Sequence, residues 1–250
     1  MNTSAQQLEP TGSFINVLIS EAAKLRRSLV VLLSVAVPGF VIAVSIVVTS
    51  RNGADLNSLG TATAGFWSFA MLPLGITALS VLLAQIEHGS RGWDHMLALP
   101  GVAERIFIAK GLIMWLVSGL WGVCLFIGLL FQIELTQFIA PDLFTGVADY
   151  SLLAVLLLKM WLASFLLCMI LLFVALWFRS FVVPLALGIG GTFAAIATAG
   201  SFEGMYFPWL MPLSMLRTDP AEAQVSLGFG LIGGIVLLII MQLVMQRKRW

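Results

Sequence analysis

The chain has 250 residues, of which 60% are hydrophobic and 10% charged, with a mean hydropathy of +1.04 and a formal net charge of +1. A soluble domain carries about 25% charge, so this chain cannot cover a water-facing surface, and a polytopic membrane protein is expected. The net charge says little about partners; no nucleic-acid partner is expected.

Residues 1–12 are polar. From Phe14 to Arg27, apolar residues fall at 14, 15, 18, 22 and 25, while Glu21, Lys24, Arg26 and Arg27 lie largely elsewhere. That spacing predicts an amphipathic helix. It suits either an interfacial helix on the cytoplasmic leaflet or the first turns of a span. The first apolar run is 20 residues long, against about 7–15 for a signal-peptide core, so it is expected to remain as a span.

A bilayer core takes about 20 apolar residues to cross. The runs at about 29–48, 66–86, 109–131, 151–178, 181–199 and 225–245 predict six transmembrane helices. Residues 1–28 form the tail and interface helix, 29–246 the membrane domain, and 247–250 a basic tail. With the N-terminus in the cytoplasm, Lys24, Arg26, Arg27, Arg91, Arg105, Lys110, Arg179, Arg247, Lys248 and Arg249 all face inward. Only Arg51 and Arg217 face outward. The positive-inside rule therefore places both termini in the cytoplasm.

Glu87 to Lys110 (EHGSRGWDHMLALPGVAERIFIAK) is the longest internal stretch rich in charge and turn residues. Gly89 and Gly92 allow a sharp change of direction. Residues 91–99 can form a short helix, and Pro100-Gly101 ends it. This helix, with Trp93 and Leu97 on one side, suits docking on a soluble partner. It equally suits a connector whose tryptophan anchors in the headgroups.

Lys159 is the one ionisable residue deep in a span. A lysine at the bilayer centre costs about 2.5–3.5 kcal/mol. Eight residues into the fourth span, it lies about 12 Å deep. It can snorkel, pair with Asp149, Asp142 or Glu134, or line a polar translocation path. Cys124 and Cys168 read as buried small apolar residues. The glycines of spans five and six, including the Gly230–Gly234 pair, allow close helix packing, within one bundle or at a subunit seam. Residues 200–224 are aromatic and Met-rich. They read as an interfacial or re-entrant element with Tyr206 and Trp209 at headgroup level, or as a plain surface loop.

Catalytic, cofactor-binding and metal residues are all expected to be none. No phosphate-binding loop, nucleophile elbow or paired histidine face exists in the sequence. A secondary transporter or channel would need several intramembrane charges, and only Lys159 is at hand. A membrane sensor or signalling subunit is the other alternative.

Glu87 closing a span, the turn at Arg91-Gly92-Trp93, the run Leu97-Ala98-Leu99-Pro100, then Arg105 and Lys110 entering the next span together resemble type-2 ABC exporter permeases. Phe66-Trp67-Ser68-Phe69 at the start of span two is similar to lantibiotic-immunity and bacitracin-resistance permeases. Trp93 stands where that family often has Thr or Ser. The resemblance implies a coupling helix over 91–100, seated in a separate ATPase that binds ATP and Mg. Its coupling residues would be Glu87, Arg91, Gly92, Trp93, Leu97, Leu99, Pro100 and Arg105. It further implies two ATPase copies, a second permease, the same or homologous, and a bacterial inner membrane. The cargo would be an amphipathic or hydrophobic compound.

Overall fold

The computed structural model describes residues 14–26, 28–90, 105–139 and 141–247. Its helices are α1 (Phe14–Leu25), α2 (Val30–Asn52), α3 (Leu56–Phe66), α4 (Leu72–Ser90), α5 (Ile106–Ile139), α6 (Tyr150–Ala163), α7 (Phe165–Trp177), α8 (Val182–Thr198) and α9 (Pro220–Met245). Two-residue strands, β1 (Ala54–Asp55) and β2 (Phe144–Thr145), pair in parallel at one end of the bundle. The chain is an all-α polytopic membrane protein. Among the described residues, five stretches are long and apolar enough to cross a bilayer: Val30–Ser50, Leu56–His88, Ile106–Ile139, Tyr150–Trp177 and Pro220–Met245. α8 is shorter, at 17 residues, or about 26 Å of helix.

The helix starts and stops follow local chemistry. Asp55, Asp149 and Asp219 each precede a helix and accept from a backbone N–H of its first turn: Ser58 at 3.0 Å, Leu152 at 2.9 Å and Ala221 at 2.8 Å. These bonds satisfy donors that a helix start leaves orphaned. Gly146, at φ 78°, turns the chain beside β1, where a Cβ would collide with Asp55 Oδ1.

The second crossing is one continuous stretch, α3 through α4, joined by a π-helical turn at Trp67–Met71. Leu72 N–H bonds Trp67 O, five residues back. Pro73 supplies the reason. Its ring would clash with the carbonyl four residues earlier in a regular helix, and the wider turn relieves that clash. The Phe66–Phe69 motif therefore spans a π-bulge inside the second crossing, not the start of it.

α5 is the axis of the bundle and packs on α1, α2, α4, α6, α7 and α9. Its Phe107, Met114, Trp121, Leu125 and Leu129 are fully buried. Stacked Trp115 and Trp161, with ring centroids 4.3 Å apart, lock α5 to α6, each indole N–H donating to the other's backbone carbonyl. α9 crosses at the α6–α7 junction. A Cβ on Gly230 would collide with Ala163 O, and one on Gly234 with the Phe165 ring. This glycine pair thus serves packing within one bundle. α8 is peripheral, burying only Pro184, Gly188 and Ala195 against α4 and α7.

Two local expectations change. Cys168 is buried, but Cys124 is exposed on the outer surface of α5. Of residues 200–224, the stretch up to 219 folds back alongside α8 and the remainder begins α9. Trp209 is buried, its Nε1–H donating to Gly188 O at 3.1 Å. Gly188 lies ten residues before Thr198, about 15 Å along the helix. Tyr206 is exposed, as a headgroup residue would be, whereas the Trp209 indole finds its acceptor inside the protein. A tryptophan with a buried N–H needs such a partner, and the absence of a Cβ at Gly191 makes room for the ring.

Candidate functional site: a buried ring of four charges

The helical face that α1 turns inward is Val17, Glu21 and Leu25, a stripe with a carboxylate at its centre. Ile15 and Ile19 are left exposed. The sequence pattern placed Glu21 on the polar side, away from the apolar face. The structure inverts this, because Glu21 finds its partners inside.

Those partners are Lys24 on α1 itself and Lys110, and Glu87 completes the set from the other helix that flanks residues 91–104. Glu87 lies near the end of α4, and Lys110 in the second turn of α5. Lys110 is 1% exposed, with Nζ 2.5 Å from Glu21 Oε2 and 3.0 Å from Glu87 Oε1. Lys24 Nζ lies 2.5 Å from Glu21 Oε1 and 2.8 Å from the same Glu87 oxygen. The four side chains close a ring of alternating sign: Lys24, Glu21, Lys110, Glu87. Glu21 and Glu87 are 5% and 3% exposed, and only Lys24 reaches the surface, at 28%.

Taking one ion into a protein interior costs several kcal/mol, which mutual attraction repays only when geometry is good and charge balances. Here two cations and two anions balance. Burial pushes the Lys24 ammonium down, but its hydrogen bonds to Glu21 and Glu87 outweigh that and hold it above the ordinary lysine range. Removing any member strands a net charge in a dry site. A leucine and methionine set of similar volume would hold the helices equally well, so helix packing alone does not call for the ring. Its distinctive mechanical property is that α1, α4 and α5 cannot part there without exposing unpaired charge.

Neighbouring contacts tie the same end further. His88 lies 3.3 Å from Ala175 O of α7, and Gln85 Nε2 donates to Arg179 O at 3.5 Å. The ring holds no nucleophile, and its carboxylates are engaged by ammonium groups. It is suited to transmitting force, not to bond chemistry.

Of the sequence-derived coupling residues, Glu87 joins the ring. Arg105 is half-buried and its carbonyl accepts from Ala109 N at 2.9 Å, starting α5. Arg91, Gly92, Trp93, Leu97, Leu99 and Pro100 lie outside the described residues. Lys159 takes no part in the ring. It is exposed on α6, as are Leu152, Val155 and Leu158 of the same helix. Among the described residues no ion pair joins it to Asp149, Asp142 or Glu134. Sequence reading missed Glu21, Lys24 and Lys110 as one unit. The available signal was four ionisable residues, balanced in sign, at the edges of three apolar runs.

The family model described as ABC-2 family transporter protein matches residues 17–195, from inside α1 to inside α8. The chain belongs to the ABC-2 family of transporter proteins. It is a membrane permease of an ABC transporter, and the matched region contains the whole charge ring. No curated protein matches the chain.

Proposed function

We propose that this chain is the membrane-spanning subunit of an ATP-driven exporter, moving an amphipathic or hydrophobic compound by alternating access. A separate ABC ATPase, in two copies, binds ATP and Mg and docks on a coupling helix over residues 91–100. Trp93 and Leu97 seat in the ATPase, and Leu99-Pro100 ends the helix. A second permease, the same or homologous, completes the pathway. Both termini lie in the cytoplasm of a bacterial cell, with the chain in the inner membrane and all six apolar runs crossing it.

The observation that carries this reading is the charge ring. In sequence the proposed docking segment lies between Glu87, near the end of α4, and Lys110, in the second turn of α5. Both residues are held to α1 through Glu21 and Lys24. A push on the segment therefore moves α1, α4 and α5 as one body. The sparse packing of α8 supports a second permease on that face. Lys159, on the outer surface, belongs to a translocation path only if the path runs along the seam between permeases. A Lys159→Met chain that folds and exports normally removes it from that path.

The test is co-expression with an ABC ATPase encoded beside this gene. The wild-type chain should retain the ATPase through purification, whereas Trp93→Ala and Leu97→Asp should lose it or uncouple its hydrolysis. Unchanged ATPase binding and activity in both variants would overturn the docking assignment.

A further inference from the structure

Between α2 and α3, toward the end of the bundle opposite α1, lies a crevice of about 530 Å³. That is within the range of small-ligand sites, about 300–1,000 Å³. Its walls are apolar, with Val41, Val44, Leu59 and Phe66, but its floor carries the hydroxyls of Ser45, Thr49 and Thr63. Behind the floor stands Gln132 of α5, 1% exposed.

The hydrogens of this floor are all committed. Thr63 donates to Leu59 O at 2.8 Å, so in its 3.0 Å contact with Ser45 it must accept, and Ser45 donates. Thr49 donates to Ser45 O at 2.8 Å. Gln132 Nε2 donates to Ser45 Oγ at 3.0 Å and reaches Thr49 Oγ1 at 3.5 Å. The amide orientation follows, since Thr49 has no hydrogen left to give. What remains on the crevice lining is acceptors, the lone pairs of Thr49 and Thr63. A hydroxyl offers one hydrogen and two lone pairs, so the surplus an occupant meets is wholly acceptor. Gln132 Oε1, without a partner among the described residues, is shut off from the crevice, and Gln132 only holds the floor from behind.

We propose that this crevice binds a neutral amphiphile whose polar end donates a hydrogen bond, through a hydroxyl or an amide N–H, with its apolar part between Val44 and Phe66. No acid lines the crevice, so an ammonium would come in uncompensated, and an anion or an ether would meet acceptors only. As a binding site this stands without the exporter reading. As a cargo site it rests on that reading and names the class of cargo.

The experiment uses the purified chain alone in nanodiscs, without ATPase, so that a failure here is separate from a failure of docking. The probes are a long-chain alcohol carrying a diazirine and its methyl ether, with labelled peptides mapped by mass spectrometry. The alcohol should label the α2 and α3 walls and the ether about fivefold less, the worth of one neutral hydrogen bond. Thr49→Val should bring the alcohol down to the level of the ether. Equal labelling by both probes, or undiminished labelling of Thr49→Val, overturns the proposal. Where Thr49→Val fails to fold by size exclusion, the two probes on the wild-type chain decide alone.

Discussion

At the α1 end of the bundle, three buried charges and the part-exposed Lys24 each need the others. At the opposite end, Asp55, Asp149 and Asp219 cap helices in the open, Asp149 N–H donates to Asn57 Oδ1 at 2.9 Å, and Tyr150 donates to Glu134 at 2.6 Å. Both ends use carboxylates, yet the physics differs. Each exposed cap is worth about 1 kcal/mol and can be removed singly. The buried ring cannot be taken apart one member at a time, because desolvation has already been incurred. One end is thus tied by charges that depend on one another, the other by contacts that do not.

The largest way to break this contrast is Lys110→Met, which strands Glu21 and Glu87. It should lower stability by about 3–5 kcal/mol, read as a fall in melting temperature in detergent. Adding Glu21→Leu restores charge balance around Lys24 and Glu87, and most of the loss should return. A double variant no more stable than the single would contradict the account of the ring.

Away from both ends, Gly230→Ala forces a Cβ onto the Ala163 backbone and should cost about 1–3 kcal/mol. Gly228→Ala, in open space, should be neutral or slightly stabilising by chemical denaturation. Equal effects would remove α9 from close packing at the α6–α7 junction. Trp209→Phe keeps the ring but loses the bond to Gly188 O, and should cost about 1 kcal/mol by the same measurement.

The smallest effects are read by pH, through one group at each end. Hydrogen bonds from the Leu152 N–H and the Ser151 hydroxyl hold the Asp149 carboxyl below its ordinary range. Its stabilisation is present above the ordinary value of 3.8 and is lost as pH falls through the lower folded value. Lys24 is raised above its ordinary 10.5, so its contribution is full below that value and is lost as pH rises through the higher folded one. Hydrogen exchange should show the Leu152 N–H loosening in acid and α1 loosening in alkali. A Leu152 N–H unchanged in acid, or an α1 unchanged in alkali, would refute these assignments.

Much of the frame was legible from residues. Apolar runs near bilayer length can only be satisfied as helices, since lipid offers no partner for a free N–H or carbonyl. The turn residues between them mark where helices stop. The segment Glu87 to Lys110 stood out because charge and glycine interrupt apolar sequence there. What the pattern misread was local and cooperative. Pro73 was legible as a distortion, but the π-turn it requires carries α3 and α4 on as one crossing. Trp209 resembled a headgroup residue until Gly188 supplied its acceptor.

By itself the sequence determined the class of the protein, the positions of its apolar helices and the charge asymmetry between its loops, because these depend on composition and local spacing. Only the tertiary structure decided that Glu21, Lys24, Glu87 and Lys110 are one object. Their sign balance is visible along the chain, but burial makes them interdependent, and burial exists only once α1, α4 and α5 have packed. The same holds for Gln132, an ordinary polar residue in an apolar run until α2 places Ser45 and Thr49 against it and leaves its oxygen without a donor.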